Sequence, residues 1–263
     1  MIWNSLDYKI IDMHTHMGPE YPLYYPDYDV DDIVKFLDEA NVEFIISSPC
    51  EDLFRCDSRR EVIMDAMMRY PKRIKGYYGV NPKSEVCVDD MLKAFTNNPG
   101  YTGIKLLPDY HRTALTDSAY EPFLEFANHH HMLVLSHTWG LSMHNETYDS
   151  ADITAIILDK YPNIRFIMGH SIQGQIDEAI ALANYYPNAY LDLCDTGRIN
   201  GVIEKMTKKA GASKVVFGTD LPMQSTWYVF GAVMHARISN NERRLILRDN
   251  AIRILSEVYR PDC

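Results

Sequence analysis

Eight short apolar runs alternate with amphipathic stretches along the whole chain, and this alternation constrains the fold more than any other feature. The runs are Tyr8–Met13, Glu43–Ser48, Ile74–Val80, Gly103–Leu107, Met132–Ser136, Ile164–Gly169, Ala189–Leu193 and Lys214–Gly218. Most are rich in Val, Ile, Leu, Phe or Tyr, as strands buried on both faces are. Between them the pattern predicts helices over Val30–Ala40, Arg59–Tyr70, Asp89–Phe95, Tyr120–His130, Ala151–Tyr161, Gln173–Tyr185 and Asn200–Ala210. Two more, Thr226–Arg237 and Glu242–Tyr259, close the chain. Asp29 is placed to cap the first helix, and Pro71 stops the second. Strands that alternate with helices pair in parallel through right-handed crossovers. An open doubly wound sheet alternates too, but eight units favour a closed (β/α)8 TIM barrel of the α/β class. The 263 residues fit the usual barrel length of about 250. No linker or composition shift divides the chain, so residues 1–263 are expected to form one domain.

The formal net charge of -10 is spread through the sequence rather than held in a block. An acidic chain is a poor partner for a phosphate backbone, which argues against nucleic acid. No apolar stretch approaches the length needed to span a bilayer. The five cysteines (Cys50, Cys56, Cys87, Cys194 and Cys263) are odd in number and irregularly spaced, and the start of the chain lacks a basic, then apolar, leader. Reduced thiols in a cytoplasmic protein are the expectation. The acidic surface and an aromatic loop after the first run suggest closed pairing of two or more copies.

Chemistry-bearing residues cluster at one kind of position. The first run continues Asp12-Met-His14-Thr-His16, and side chains two residues apart in a strand point the same way. Alone, a His-x-His is a weak signal. The fifth run, however, ends on His137, the sixth leads to His170 and the eighth to Asp220. In a closed barrel all C-terminal strand ends meet at one mouth, where active sites form. A core histidine explains any one of these residues, but not four histidines and an aspartate at the same strand end. The residue types are those that zinc prefers.

With these motifs the chain resembles the amidohydrolase superfamily of metal-dependent barrel enzymes over nearly its whole length. Asp12-Met-His-Thr-His16 looks like the first-strand signature, and His137, His170 and Asp220 match the fifth-, sixth- and eighth-strand residues. The runs Gly103-Ile-Lys-Leu-Leu-Pro108 and Asn250-Ala-Ile-Arg-Ile-Leu255 look like the branch that includes aminocarboxymuconate semialdehyde decarboxylase, with related hydrolases, lactonases and hydratases. The resemblance implies that His14, His16, His137 and Asp220 bind one divalent ion, zinc first, with manganese or a binuclear site as alternatives. It implies an ion-activated water, with His170 and Asp220 as the catalytic residues that move its proton. The expected reaction is hydrolysis of a small, carboxylated molecule. Decarboxylation or hydration of a similar organic acid is the alternative, because that branch mixes both chemistries.

Three residues are candidates for substrate binding. Lys105 lies inside a buried strand, where an ammonium against the helix layer would be costly, so it is expected to point inward near the mouth. There it binds a substrate carboxylate as a cation, is carboxylated and bridges two metals as in some relatives, or reaches solvent at the rim. Arg55, after the second strand, either clamps a carboxylate or is a solvated loop residue. Trp139, with His144, is placed to line the pocket. Asp12 either orients a neighbour by hydrogen bonding or pairs with a basic residue. Tyr21, Tyr24, Tyr25 and Tyr28 either cap the pocket or cover a subunit contact. Cys50 and Cys56 read as bystanders, and His129, His130 and His131 as solvent-facing residues at the far end of the barrel.

Overall fold

The computed structural model describes residues 6–18, 29–53, 60–84, 87–140 and 147–258. Arg55, Cys56, His144, the four loop tyrosines, and the ends of the predicted helices at Arg59 and Tyr259 lie outside them. Eight parallel strands follow one another in sequence order around one sheet: β1 (Ile10–Met17), β2 (Val42–Pro49), β3 (Ile74–Val80), β4 (Tyr101–Leu106), β5 (Leu133–His137), β6 (Arg165–Gly169), β7 (Ala189–Asp192) and β8 (Val215–Val216). Backbone bonds close the circle from β8 to β1. Met13 N donates to Phe217 O at 2.9 Å, and Thr219 N and Asp220 N both donate to His14 O, at 3.1 and 2.8 Å. The architecture is the expected (β/α)8 barrel.

Helices α1 (Val30–Glu39), α2 (Glu61–Arg69) and α3 (Val88–Asn97) follow the first three strands, and a short α4 (Pro108–His111) follows β4. Helices α5 (Glu121–His129), α6 (Ala151–Lys160), α7 (Ile176–Tyr185), α8 (Val202–Lys209) and α9 (Thr226–His235) continue the ring. The last predicted helix is α10 (Asn240–Arg244) joined through a π turn to α11 (Asn250–Ser256). Asp29 caps α1 as expected, its side chain accepting from Asp31 N at 2.8 Å.

The apolar residues divide into two layers, as strands buried on both faces require. Ile10, Ile45, Ile104, Val134 and Phe166 pack outward against the helices. Ile11, Met13, Ile46, Tyr77, Leu135, Ile167 and Val216 fill the barrel, and Ala251, Ile254 and Leu255 of α11 close its lower end. Filling the barrel floor with apolar side chains confines the polar groups to the mouth. The pairing of β1 with β2 shifts register between Asp12 and Thr15, which breaks strict alternation just where the first strand turns from core to site. His129 and His131 are exposed and precede β5, at the barrel end opposite the mouth, as expected, while His130 is half-buried. No helix among the described residues is long and apolar enough to cross a membrane.

Candidate metal centre

The imidazoles of the mouth are arranged by what touches their Nδ1 atoms. His14 Nδ1 lies 2.7 Å from Asp192 Oδ2, with both side chains buried. His16 Nδ1 lies 3.1 Å from Ser48 Oγ. His137 Nδ1 faces two carboxylates, Asp109 and Asp149, at 3.7 Å each. With Nδ1 engaged on the outside, the Nε2 atoms of His14 and His16 turn to the centre. There Asp220 Oδ1 lies 3.4 Å from His14 Nε2 and 3.2 Å from His16 Nε2. His137 stands against the same group through His170: ring centroids are 4.7 Å apart for that pair and 5.2 Å for His14 and His170.

Donor chemistry and loose ends both fit a bound cation. Ligand atoms of His14, His170, Cys194 and Asp220 lie within 4.8 Å of one another, all in buried residues. Asp220 Oδ1, His170 Nδ1 and His137 Nδ1 are buried without an aligned hydrogen-bond partner. Such unsatisfied groups cost free energy unless something joins them. Protonation states agree. Burial lowers the pKa of His14 well below the usual imidazole range, helped by the Lys105 ammonium, and burial likewise lowers those of His16 and His170. Burial works against charge on Asp220, but the approach of His16, then His14 and His170, holds its carboxyl well below the usual range. Neutral imidazoles beside an ionised carboxylate are the state in which these groups ligate metal.

Two backbone features place the proton-handling candidates. Asp220 has φ 65°, and His170, Ser171 and Ile172 form three successive left-handed residues at φ 61°, 51° and 48°. Non-glycine residues in this region are strained, and such strain persists only where neighbours over-determine it. Here His170 N donates to Asp192 Oδ2 at 3.1 Å, Ser171 Oγ to Asp192 O at 2.7 Å and Ile172 N to Thr138 Oγ1 at 3.1 Å, and Thr196 Oγ1 donates to His170 O. Gly218 makes room for the other side: a Cβ there would lie 2.1 Å from Asp192 Oδ1 and 2.7 Å from His14 Cβ.

Lys105 points inward as the burial argument requires, with no exposed surface. Its Nζ contacts His14 Nε2 at 2.7 Å, and burial brings its pKa down to about 8. It does not line the open cavity. That cavity, about 120 Å3, is bounded by His16, His137, His170 and Asp220 on its polar side. Leu53, Leu107, Tyr110, Trp139, Met223 and Gln224 form the rest. Trp139 stacks on His137, centroids 5.7 Å apart and planes 9° apart. No Lys or Arg occurs among the described lining residues. Asp12 is buried, accepting from His14 N at 3.1 Å and Thr219 Oγ1 at 2.5 Å, so it orients the β1–β8 junction rather than pairing with a base.

Sequence reasoning missed Asp192, Asp109, Asp149 and Cys194 as members of the site. Asp192 carried a usable signal, a lone acid in the apolar run Ala189-Tyr-Leu-Asp192-Leu193. Asp109 sits in the short α4 and Asp149 in the loop before α6, where acidic residues are commonplace and give no such contrast.

No curated protein sequence matches the chain. Solved structures match at low identity. A 2,6-dihydroxybenzoate decarboxylase bound to 2,6-dihydroxybenzoate is 16% identical, with a TM-score of 0.69 over 95% of this chain and 99% of that one. A probable 2-pyrone-4,6-dicarboxylic acid hydrolase from Acinetobacter baumannii, with citric acid bound, is 18% identical, with a TM-score of 0.71 over 94% and 99%. A 5-carboxyvanillate decarboxylase from Novosphingobium aromaticivorans, complexed with manganese and 4-hydroxy-3-methoxy-5-nitrobenzoic acid, is 12% identical, with a TM-score of 0.73 over 95% and 96%. The sequence model of the amidohydrolase family matches residues 11–256, from the first strand to the last helix, and the chain belongs to that family of metal-dependent barrel enzymes.

Proposed function

We propose that the chain removes carbon dioxide from a small, flat, conjugated carboxylic acid, using one divalent ion held by His14, His16, His137 and Asp220. The observation that carries this reading is the junction of two things. One is the inward-facing imidazoles with Asp220; the other is a small cavity flanked by the aromatic side chains of Tyr110 and Trp139. An apolar cavity of about 150 Å3 takes up benzene, so a cavity of about 120 Å3 admits the reacting end of a small, flat acid rather than the whole molecule. Similar folds whose structures hold benzoic acids support the same substrate class.

A bound ion supplies positive charge for a substrate oxygen and for the negative charge that develops as the carboxylate leaves. The remaining work falls to the chain. Tyr110, Trp139, Leu53, Leu107 and Met223 hold the ring and exclude water, and Gln224 offers an amide at the rim. Lys105 does not line the cavity, so orientation of the carboxylate is left to the ion and to Gln224. As the carbon–carbon bond breaks, the ring carbon must take up a proton. His170, buried, neutral and with Nδ1 unpartnered, relays that proton from water to the ring carbon in this reading.

Hydrolysis is the second reading, and the same His170 favours it: a ring kept neutral by burial is a base able to take a proton from water. Zinc and manganese both suit a site of nitrogens and a carboxylate. The test is direct. The metal-loaded chain is offered hydroxybenzoates and cyclic esters of small dicarboxylic acids. Release of carbon dioxide from the former is the expected result. Ring opening of the latter without carbon dioxide makes the protein a hydrolase.

A further inference from the structure

Asp149 repeats, on the far side of the mouth, the arrangement by which Asp192 holds His14. Asp192 fixes one oxygen on a backbone amide, with Cys194 N donating to Oδ1 at 3.1 Å, and turns Oδ2 to His14 Nδ1. Asp149 fixes Oδ1 on two amides, those of Trp139 and Gly140, at 3.1 Å each. Two successive amides on one oxygen make a small anion nest, which needs the left-handed turn that Gly140 provides at φ 79°. The second oxygen of Asp149 is then aimed at His137 Nδ1, 3.7 Å away. Both atoms are buried and neither makes an aligned hydrogen bond among the described residues; Asp149 is 1% exposed. Asp109 lies equally near the ring, but among the described residues no backbone amide fixes its side-chain oxygens; burial, then the neighbouring Asp149 carboxylate, raises its pKa to about 6, and Oδ1 is orphaned as well.

We propose that Asp149 is the positioning residue for His137: it holds the ring proton on Nδ1 and so commits Nε2 to the mouth. This rests on the reading of His137 as a metal ligand. A ligating histidine commonly donates its other N–H to a carboxylate, and loss of that carboxylate weakens metal binding about 10–100-fold. The 3.7 Å gap closes to a hydrogen bond by a small rotation of the ring, because the carboxylate itself cannot move without leaving its nest.

Asp149→Asn is the decisive variant. Its amide oxygen still accepts from Trp139 N and Gly140 N, so the turn is retained, but an NH2 group now faces His137 and favours the opposite tautomer. Zinc affinity is measured by competition with a chromophoric chelator. The tautomer of His137 is read from 15N-imidazole spectra of the full chain, with His137→Gln used to assign its signals. The expected result is about 10–100-fold weaker zinc binding in Asp149→Asn, with the His137 proton moved to Nε2, and neither change in Asp109→Asn. Wild-type tautomer and zinc affinity in Asp149→Asn overturn the proposal. So does loss of one of two bound ions, which would make Asp109, His137 and Asp149 a cation site of their own. A wild-type chain that binds no zinc overturns the metal reading and this inference with it. Zinc bound equally well by wild type and by Asp149→Asn overturns the inference alone.

Discussion

Lys105 keeps its amine in a site with no exposed surface, and its titration has a consequence for the metal-free chain. Burial brings its pKa down from 10.5 to about 8. Below about pH 8 both folded and unfolded chains carry the proton, and the folded chain bears the full cost of the buried charge. Between about 8 and 10.5 the folded chain releases its proton first, so stability rises with pH. The whole effect is on the order of 3 kcal/mol at 1.36 kcal/mol per pKa unit. Urea unfolding of the metal-free protein should show wild type gaining on Lys105→Met between pH 7.5 and 10; a constant gap between the two would show that the amine is not titrating. His170 is tested by a different single change. His170→Asn should retain bound metal by elemental analysis while turnover falls about 10²–10⁴-fold, the usual worth of a positioned acid or base. Metal lost together with activity would make His170 a ligand.

At the scale of elements, the strands were the most legible part of the sequence, because burial on both faces leaves runs such as Met132–Leu135 with no polar interruption. The residues that stand at their ends, His14, His16, His137, His170 and Asp220, were legible for the same reason: an ionisable group after an apolar run stands out. β8 was the exception, shortened to Val215–Val216 because Phe217–Asp220 leave the ladder to bond across to β1. The short α4 was missed, since four residues opening on Pro108 carry no periodicity. Most of the supporting shell was hidden, because Asp109 of α4 and Asp149 of a later loop acquire meaning only when segments apart in sequence converge on His137. Gly140 links the local turn to that shell. Alanine there must adopt φ 79° and would place Cβ 2.9 Å from Ile172 Cγ2. Gly140→Ala should therefore cost about 1–2 kcal/mol from the backbone alone, read as a lower urea midpoint, together with weaker zinc binding as the nest opens. Unchanged zinc affinity in a destabilised Gly140→Ala would separate the turn from the site.

The molecule as a whole couples its stability to its site, because an ion that binds only the folded barrel stabilises it by mass action. At a free concentration 100 times Kd that amounts to about 2.7 kcal/mol. Zinc should raise the melting temperature of wild type, chelation should lower it, and His14→Ala should abolish the difference; a zinc effect of equal size in His14→Ala would place the ion elsewhere. The location of that stabilisation follows from how the circle of strands is joined. Seven of the eight junctions are ladders between strands, whereas β8 contributes two residues and the closure is made by Met13 N on Phe217 O, His16 N on Leu221 O and the amides of Thr219 and Asp220 on His14 O. Asp220 on one lip and His14 with His16 on the other face each other across this narrow join. The one seam without a regular ladder is thus the one an ion would staple. Amide hydrogen exchange at Val215–Leu221 and Met13–Met17 should slow on metal loading far more than exchange in β4 or β5, so that occupancy of the mouth decides whether the cylinder opens along its length or stays shut.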